Sequence, residues 1–182
     1  MSVLNLSNQL ALGIDIGGTN TKFGVVNHRG EILAKGTIKT DQFEKVEDFI
    51  DELHRIIQPI LEQHCIGKSF EGIGVGAPNA NYYKGTIEQA PNLKWKGIVP
   101  FAKLMTEKFG SPCKMTNDAN AAALGEMMYG AARGMQDFIM ITLGTGVGSG
   151  IVASGNLIYG HDGFAGELGH TIVKRDGREH WS

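Results

Sequence analysis

The chain has 182 residues, of which 42% are hydrophobic, and it carries 17 Lys and Arg against 19 Asp and Glu. This composition fits one full globular domain plus part of another. The formal net charge of -2 provides no global positive field for nucleic acid or an anionic membrane, so we expect a small-molecule partner, no nucleic acid and no membrane association.

Cysteine and apolar patterning indicate the compartment. Cys65 and Cys113 are the only cysteines and lie far apart, which favours a reducing environment, with the cytoplasm as the default. The sequence shows no basic start followed by an apolar stretch and no run of about 18 apolar residues. Glycine is the compositional outlier, since its 26 residues are about twice average usage.

The first part of the chain predicts an antiparallel meander followed by a helix and a strand. Three short apolar runs separated by turn residues predict the meander, over residues 10–16, 22–27 and 32–39. Apolar residues at three- and four-residue intervals predict an amphipathic helix over 43–63, which Pro59 should kink unless the helix is supported there. Residues 70–77 predict a strand that ends in a loop at Pro78.

The second part alternates surface segments with short elements. Residues 79–96 are rich in Asn, Tyr, Lys and Gly and predict a surface excursion, and helices are predicted over 100–109 and 119–129. Strands are predicted over 113–116, 138–143 and 148–153, with a short arm at 156–159. The domain boundary is expected near 110–116, giving an N-terminal domain of residues 1–115 and a partial second domain of residues 116–182.

The run from Asp15 to Lys22 combines an acid, two glycines, a hydroxyl and a lysine at a predicted turn between strands. Turn N–H groups can converge on a phosphate, Thr19 adds a hydroxyl, and Asp15 could hold a water of the Mg²⁺ that accompanies a nucleotide. An ordinary hairpin turn is the alternative. The spacing matches neither a Walker A run nor a Rossmann turn.

A second glycine loop spans residues 143–150, with glycine at every second position. An extended backbone there has one face without side chains, so something approaches that face closely. A neighbouring helix is one explanation. A second phosphate contact, with Thr145 as donor, is favoured because the chain already has one Gly-Thr loop.

Four further residues are candidates for chemistry, each with a structural alternative. Asp118 is a possible general base for a hydroxyl nucleophile or simply a helix N-cap. Glu167 and His170 could bind sugar hydroxyls, or His170 could bind a metal, although a lone His is often structural. Asn92, beside an aromatic residue, offers an amide to a hydroxyl, or is a turn Asn.

Six motifs occur in the order typical of one family. They are DIGGTNTK, GVGAPN, APNLKW, TNDANAAALGE, LGTGVGSG and GELGH. In these motifs the chain resembles bacterial sugar kinases of the repressor, open reading frame and kinase (ROK) family, most closely the glucokinase group. The resemblance covers nearly all of the chain. It implies an α/β, actin-like ATPase (ribonuclease H-like) fold with a complete small domain and a partial large domain, two domains closing around a cleft, and transfer of the ATP γ-phosphate to a hexose, with glucose favoured.

The resemblance also implies roles for individual residues. Asp118 matches the catalytic base. Positions matching sugar-binding residues are Gly76, Ala77, Asn92, Asn117, Asp118, Glu167 and His170. Positions matching the ATP site are Asp15, which works through Mg²⁺, and Gly17, Gly18, Thr19, Asn20, Lys22, Thr145 and Gly146. His170 also matches a ligand of the family's structural Zn²⁺.

The chain departs from the family pattern at two places. Asn79 stands where glycine commonly follows the proline, which would alter that edge of the sugar pocket. The family continues past GELGH into a Cys-rich zinc run and over a hundred further residues, whereas His180 stands near the first zinc cysteine here. We therefore expect a truncated kinase that does not bind Zn²⁺ as the family does and has low or no turnover, with a homodimer possible.

Other functions compete with the phosphorylation of glucose. A non-catalytic sugar- or nucleotide-binding remnant follows from the expected truncation, and a kinase for another hexose, such as N-acetylmannosamine or fructose, uses the same polar residue types. A sugar-responsive repressor of the same family is disfavoured, because only about 14 residues precede Asp15 and the net charge is negative.

Overall fold

The computed structural model describes residues 9–144 and 146–177. The chain divides into two compact units, Met1–Asp118 and Ala119–Ser182. Within the described residues, no helix is both long enough and apolar enough to cross a membrane.

The described part of the first unit, from residue 9 onward, contains eight strands and two helices. In chain order these are β1 (Gln9–Ile16), β2 (Asn20–Asn27), β3 (Ile32–Lys39), α1 (Val46–His64), β4 (Ser69–Gly76), β5 (Ala80–Asn81), β6 (Thr86–Glu88), β7 (Ile98–Val99), α2 (Phe101–Phe109) and β8 (Cys113–Thr116). The strands and helices predicted here occur at nearly the expected bounds.

Five strands form the main sheet, in the order β3-β2-β1-β4-β8. The pairs β1–β2 and β2–β3 are antiparallel, which confirms the predicted meander, while β1–β4 and β4–β8 are parallel. Because parallel strands run in one direction, the carboxyl ends of β1, β4 and β8 meet at the same edge of the sheet. We call these strand ends and the loops that follow them the carboxyl edge.

One face of the main sheet packs on α1 and α2. Alternate residues of β1, among them Leu12 and Ile14, are buried, and they belong to the same core as Phe49 and Leu53 of α1. This alternation sends the intervening residues of β1, including Asp15, to the opposite face. Helix α1 continues through Pro59 over its 19 residues, so the proline does not end the helix.

The segment predicted as a surface excursion is more ordered than expected. Strands β5, β6 and β7 form a three-stranded sheet of their own. Asn81 within it is fully buried, and its side-chain oxygen accepts the backbone N–H groups of Tyr83 and Lys84 at 3.1 and 3.2 Å. Local side-chain hydrogen bonds of this kind stabilise a tight turn, and composition alone does not predict them.

The second unit contains one helix, three strands and one short 3-10 turn within the described residues. They are α3 (Asp118–Tyr129), β9 (Phe138–Leu143), β10 (Val147–Ala153), β11 (Asn156–Leu157) and the 3-10 turn Leu168–His170. The first residue of α3, Asp118, is the last residue of the first unit. The strands form an antiparallel sheet in the order β11-β10-β9.

The alternating glycines of the second loop divide into two pairs. A Cβ atom on Gly148 would lie 3.0 Å from the Ala119 Cβ, and one on Gly150 would lie 2.6 Å from the Ala123 Cβ, so α3 packs directly on these two glycines. A Cβ on Gly144 or Gly146 would meet open space. A neighbouring helix therefore explains the second half of the glycine pattern, and only the first half remains available for a ligand.

We predict that Gly150→Ala destabilises the second unit by about 1–3 kcal/mol, because the added methyl overlaps α3. Gly146→Ala is the matched control, since its methyl enters open space and should leave the unfolding midpoint nearly unchanged. Urea unfolding followed by circular dichroism measures both variants. Equal midpoints for the two variants would contradict the tight packing of α3 on β10.

Candidate functional site

Three neighbouring strands present one row of residues at the carboxyl edge. Asp15 of β1 pairs with Gly76 of β4, and Gly76 pairs with Thr116 of β8. Residues in register on adjacent strands project from the same face, so Asp15 and Thr116 lie on one face with only a glycine between them. On the other side of Asp15, β2 contributes Lys22, which pairs with Asp15 directly.

The first glycine loop is the tight turn between β1 and β2. Its closing bond is donated by the Gly17 N–H to the Asn20 carbonyl at 3.0 Å. A Cβ on Gly18 would lie 2.6 Å from the carbonyl oxygen of Asn92 and 3.1 Å from its Cβ. Position 18 therefore requires glycine, because Asn92 approaches it closely. Asn92 is also one of the residues that the sequence indicated for sugar binding.

Buried neighbours fix the position of Asn92. Leu93 and Trp95 are only 2% and 4% exposed, while Asn92 itself is exposed. The Trp95 indole N–H donates to the Phe43 carbonyl at 3.2 Å, and its ring packs against Phe49 with centroids 4.7 Å apart. Trp95 thus anchors this loop in the core. The aromatic residue beside Asn92 is a support and not a stacking platform for a ligand.

A threonine that the sequence did not reveal supports the glycine turn from the end of β3. The Thr40 N–H donates to the Thr19 carbonyl at 2.9 Å, and the Thr40 hydroxyl is 2.8 Å from that of Thr21, both side chains being buried. These bonds join positions about 20 residues apart. No local motif predicts that Thr40 contacts Thr19 and Thr21. Only the register of the strands in the meander could have indicated it.

Charge accumulates around Asp15. Loss of hydration to neighbouring protein atoms raises the pKa of the Asp15 carboxyl, the negative charge of Asp118 raises it further, and the positive charge of Lys22 acts in the opposite direction. The influence of Asp118 on this pKa indicates that the two carboxylates lie close enough to repel each other. Such a pair favours the binding of a cation.

The raised pKa predicts a pH-dependent stability effect. A carboxyl whose pKa is raised by folding destabilises the fold once it ionises, so Asp15→Asn should raise the melting temperature at pH 7 in EDTA by about 1–3 °C, kept small by solvent screening. The gain should vanish as the pH falls below the ordinary Asp pKa, where both states are protonated. Differential scanning calorimetry between pH 3 and 7 tests this. A gain that persists at pH 3 would contradict the proposed charge repulsion.

The conformation of the loop after β4 explains why asparagine can stand at position 79, where glycine is common in the family pattern. The Ala77 N–H donates to the Thr116 carbonyl at 3.0 Å, which holds Gly76 and Ala77 beside the end of β8. Asn79 adopts the left-handed conformation with φ of 50°, and its side-chain amide donates to the Glu88 carbonyl at 3.0 Å. Glycine and asparagine are the residues that tolerate this conformation best. Asn79 therefore stands at a position whose backbone conformation suits asparagine as well as glycine.

Asn117 and Asp118 follow β8 directly. Asn117 is 8% exposed, whereas Asp118 is exposed at the first turn of α3, where a carboxylate also interacts favourably with the helix dipole. Asp118 is thus the first residue of α3 and not the predicted N-cap before it, and this position also suits a general base.

The residues at the carboxyl edge fit a hydrated divalent cation. Mg²⁺ usually keeps several waters and binds proteins through one or two carboxylates, which is what Asp15 and Asp118 offer. Among residues 9–144 and 146–177, no group of three or more His, Cys, Asp or Glu side chains could enclose a metal. Two carboxylates are the donor set that a hydrated Mg²⁺ ion uses in proteins.

The second unit holds the other predicted residues. Thr145 lies outside the described residues, and the Gly144 N–H donates to the Gly146 carbonyl at 3.0 Å across the loop. Glu167 and His170 are exposed on the segment around the 3-10 turn, joined by a bond from the His170 N–H to the Glu167 carbonyl at 3.1 Å.

That segment is packed tightly on β10. The Ser149 hydroxyl donates to the Gly166 carbonyl, and a Cβ on Gly169 would lie 2.2 Å from the Val147 carbonyl oxygen. The glycines of the GELGH motif therefore bring its backbone onto the sheet and leave Glu167 and His170 at the surface. His180, which stands near the first zinc cysteine of the family pattern, lies outside the described residues.

The chain is similar to known glucokinases and to xylose repressors. The glucokinase of Halalkalibacterium halodurans is 38% identical over 174 residues, covering 94% of this chain and 52% of the relative. The xylose repressor of Caldicellulosiruptor bescii is 34% identical over 164 residues, covering 89% and 41%. A crystal structure of a ROK family glucokinase from Streptomyces griseus in complex with glucose and AMPPNP superposes with a TM-score of 0.78 at 37% identity, covering 92% and 52%.

The chain spans about half the length of the curated relatives it matches. The match to the ROK family model extends over residues 11–180. Since this match includes nearly the whole sequence, the chain belongs to the ROK family and has the actin-like ATPase fold of its sugar kinases.

Proposed function

We propose that this chain carries the catalytic edge of an ATP-dependent hexose kinase, with glucose as the favoured substrate. The reaction transfers the γ-phosphoryl group of ATP to a sugar hydroxyl. Relatives named glucokinases, and the S. griseus enzyme crystallised with glucose and AMPPNP, support this choice of substrates. The proposal includes Mg²⁺ as the ion that accompanies ATP and the cytoplasm as the location.

The observation that carries the proposal is the convergence at the carboxyl edge. The glycine turn, Asn92, Asp15 and Asp118 are distant in sequence, yet the parallel strand ends and the Gly18–Asn92 contact bring them to one edge of one sheet. Ligands of open α/β sheets bind outside the carboxyl ends of the strands. A turn of backbone N–H groups, a carboxylate pair and an amide are the groups that phosphoryl transfer to a hydroxyl requires.

Each residue has a distinct part in this proposal. Asp118 accepts the proton of the attacking sugar hydroxyl, and Asn92 and Asn117 orient the sugar. Gly17, Gly18 and Thr19 bind phosphate through their N–H groups and the Thr19 hydroxyl, and Lys22 adds positive charge. Asp15 holds waters of the metal ion, and Mg²⁺, when bound, neutralises charge that develops on the phosphates. Glu167 and His170 bind sugar hydroxyls, and Thr145 and Gly146 bind phosphate, as their positions in the family motifs indicate.

A second candidate is a sugar- or nucleotide-binding protein without turnover. It is favoured by one observation, namely that the chain corresponds to only about half of its kinase relatives. The two candidates agree on what binds and differ on whether product forms.

Calorimetry and a product assay on the full chain separate the candidates. Glucose is titrated alone and in the presence of AMPPNP and Mg²⁺, and labelled ATP is used to detect slow glucose phosphorylation. Binding with product supports the kinase, and binding without product supports the second candidate. Absence of heat with both glucose and AMPPNP would rule out both.

A further inference from the structure

A buried threonine at the carboxyl edge has a hydroxyl group that forms no hydrogen bond within the part of the chain that the structure describes. Thr116 is only 7% exposed. Across residues 9–144 and 146–177, nothing forms a hydrogen bond with its Oγ1 atom. A buried hydroxyl without a partner destabilises a protein by roughly 1–3 kcal/mol, so its presence needs an explanation. Valine has the same shape and would avoid this loss.

The backbone of Thr116 already has a structural role that valine would serve equally well. Thr116 pairs in register with Gly76, and its carbonyl accepts the Ala77 N–H at 3.0 Å. Both features depend on the main chain alone. The hydroxyl therefore contributes nothing visible to the fold, which leaves a bound group as the reason for it.

The register shows which way the hydroxyl faces. Met115, the preceding residue, is buried in the core face, so Thr116 projects to the opposite face, on which Asp15 lies. Adjacent strands are about 4.8 Å apart, which separates the Asp15 and Thr116 backbones by about 10 Å. Gly76 has no side chain to fill the interval.

The distance between these two strands, about 10 Å, is close to the span of a hydrated metal ion with its outer hydrogen-bond partners. An ion with Mg–O distances of about 2.1 Å, hydrogen-bonded through its waters on both sides, spans about 10 Å between its outer partners. The mutual repulsion of Asp15 and Asp118 shows that negative charge is concentrated here. Metal-bound waters are strong donors, and a threonine Oγ1 accepts hydrogen bonds as carboxylates do.

We propose that Thr116 is a positioning residue whose Oγ1 accepts a hydrogen bond from a water ligand of a hydrated divalent cation held between Asp15 and Asp118. This inference rests on the proposed function, because the cation is the one that accompanies ATP. Thr116 acts through this water and touches neither the sugar nor the phosphate. Outer partners of this kind typically change metal affinity by about 10- to 100-fold when they are removed.

Cation binding to the full chain, without nucleotide or sugar, tests the proposal. Mn²⁺ replaces Mg²⁺ because free Mn²⁺ is counted directly by electron paramagnetic resonance. Thr116→Val should raise the Mn²⁺ dissociation constant about tenfold, while Thr116→Ser, which keeps the hydroxyl, should change it less than about threefold. Asp15→Asn should weaken binding at least as much as Thr116→Val. Thr86→Val is the matched control, since the Thr86 hydroxyl is bonded to Glu88 at 2.8 Å within the small sheet.

Melting temperatures in EDTA provide a second readout. Thr116→Val should raise the melting temperature because the unsatisfied hydroxyl is gone, whereas Thr86→Val should lower it because a bond is lost. The proposal is overturned if Thr116→Val binds Mn²⁺ as the wild type does, or if the wild type binds no Mn²⁺. Should Thr116→Val fail to fold, Thr116→Ala removes the same hydroxyl and must weaken binding equally. Since no sugar or nucleotide is present, loss of the proposed kinase function would leave this result unaffected.

Discussion

Asp118→Asn is expected to lower whatever rate of glucose phosphorylation the wild-type chain shows by about 10²- to 10⁴-fold, while glucose still binds. The amide keeps the size and most hydrogen-bonding capacity of the carboxylate but cannot accept the proton of the attacking hydroxyl. A loss confined to turnover identifies a group that acts in the transition state and not in ground-state binding. Labelled ATP measures turnover, and calorimetry measures glucose affinity in the same preparations.

Asp48→Asn is the control for this substitution. Asp48 is exposed in the first turn of α1, so the same change in charge occurs away from the carboxyl edge and should alter neither turnover nor binding. If Asp118→Asn retains wild-type turnover, Asp118 is a helix-terminal acid only.

A readout independent of turnover comes from Asp15. Because the charge of Asp118 raises the pKa of the Asp15 carboxyl, Asp118→Asn should lower that pKa, whereas Asp48→Asn should leave it where it was. Carboxyl titration by nuclear magnetic resonance measures this change. An unchanged Asp15 pKa in Asp118→Asn would show that the two acids do not share one site.

Much of the fold was predictable because its signals are local. A short apolar run bounded by turn residues predicted β1, and the three- and four-residue spacing of apolar residues predicted α1. The short strands β5 to β7 were missed, since two- and three-residue strands carry no periodicity and their turn depends on the buried Asn81. Tertiary contacts, not propensity, define that small sheet.

The residue types of the candidate site could be predicted from the sequence, but the tertiary contacts that hold them in place could not. Asp15 and the glycine turn were recognised from their own segment. The contact between Gly18 and Asn92 joins residues 74 positions apart, and the bonds of Thr40 to the turn join two strands. The glycines of β10 show the same limit, because sequence alone could not divide them between helix packing at Gly150 and an open loop at Gly146.

Gly18→Ala is expected to destabilise the first unit by about 1–3 kcal/mol and to abolish AMPPNP and glucose binding. A methyl at this position would lie 2.6 Å from the Asn92 carbonyl oxygen, which is backbone and cannot rotate away. The turn and the Asn92 loop must separate, and this displaces the N–H groups of the turn together with the Asn92 amide. Urea unfolding and calorimetry measure the two effects separately.

Gly74→Ala is the matched control, because a Cβ there meets nothing within 4 Å on the same sheet. It should leave stability unchanged or raise it by up to about 1 kcal/mol, through reduced freedom of the unfolded chain. The comparison also separates the two interpretations of the glycine turn. If Gly18→Ala loses stability but its folded fraction binds AMPPNP like the wild type, the turn is a hairpin that happens to pack on Asn92. If binding is lost in molecules that remain folded, the close approach of Gly18 to Asn92 is what shapes the phosphate site.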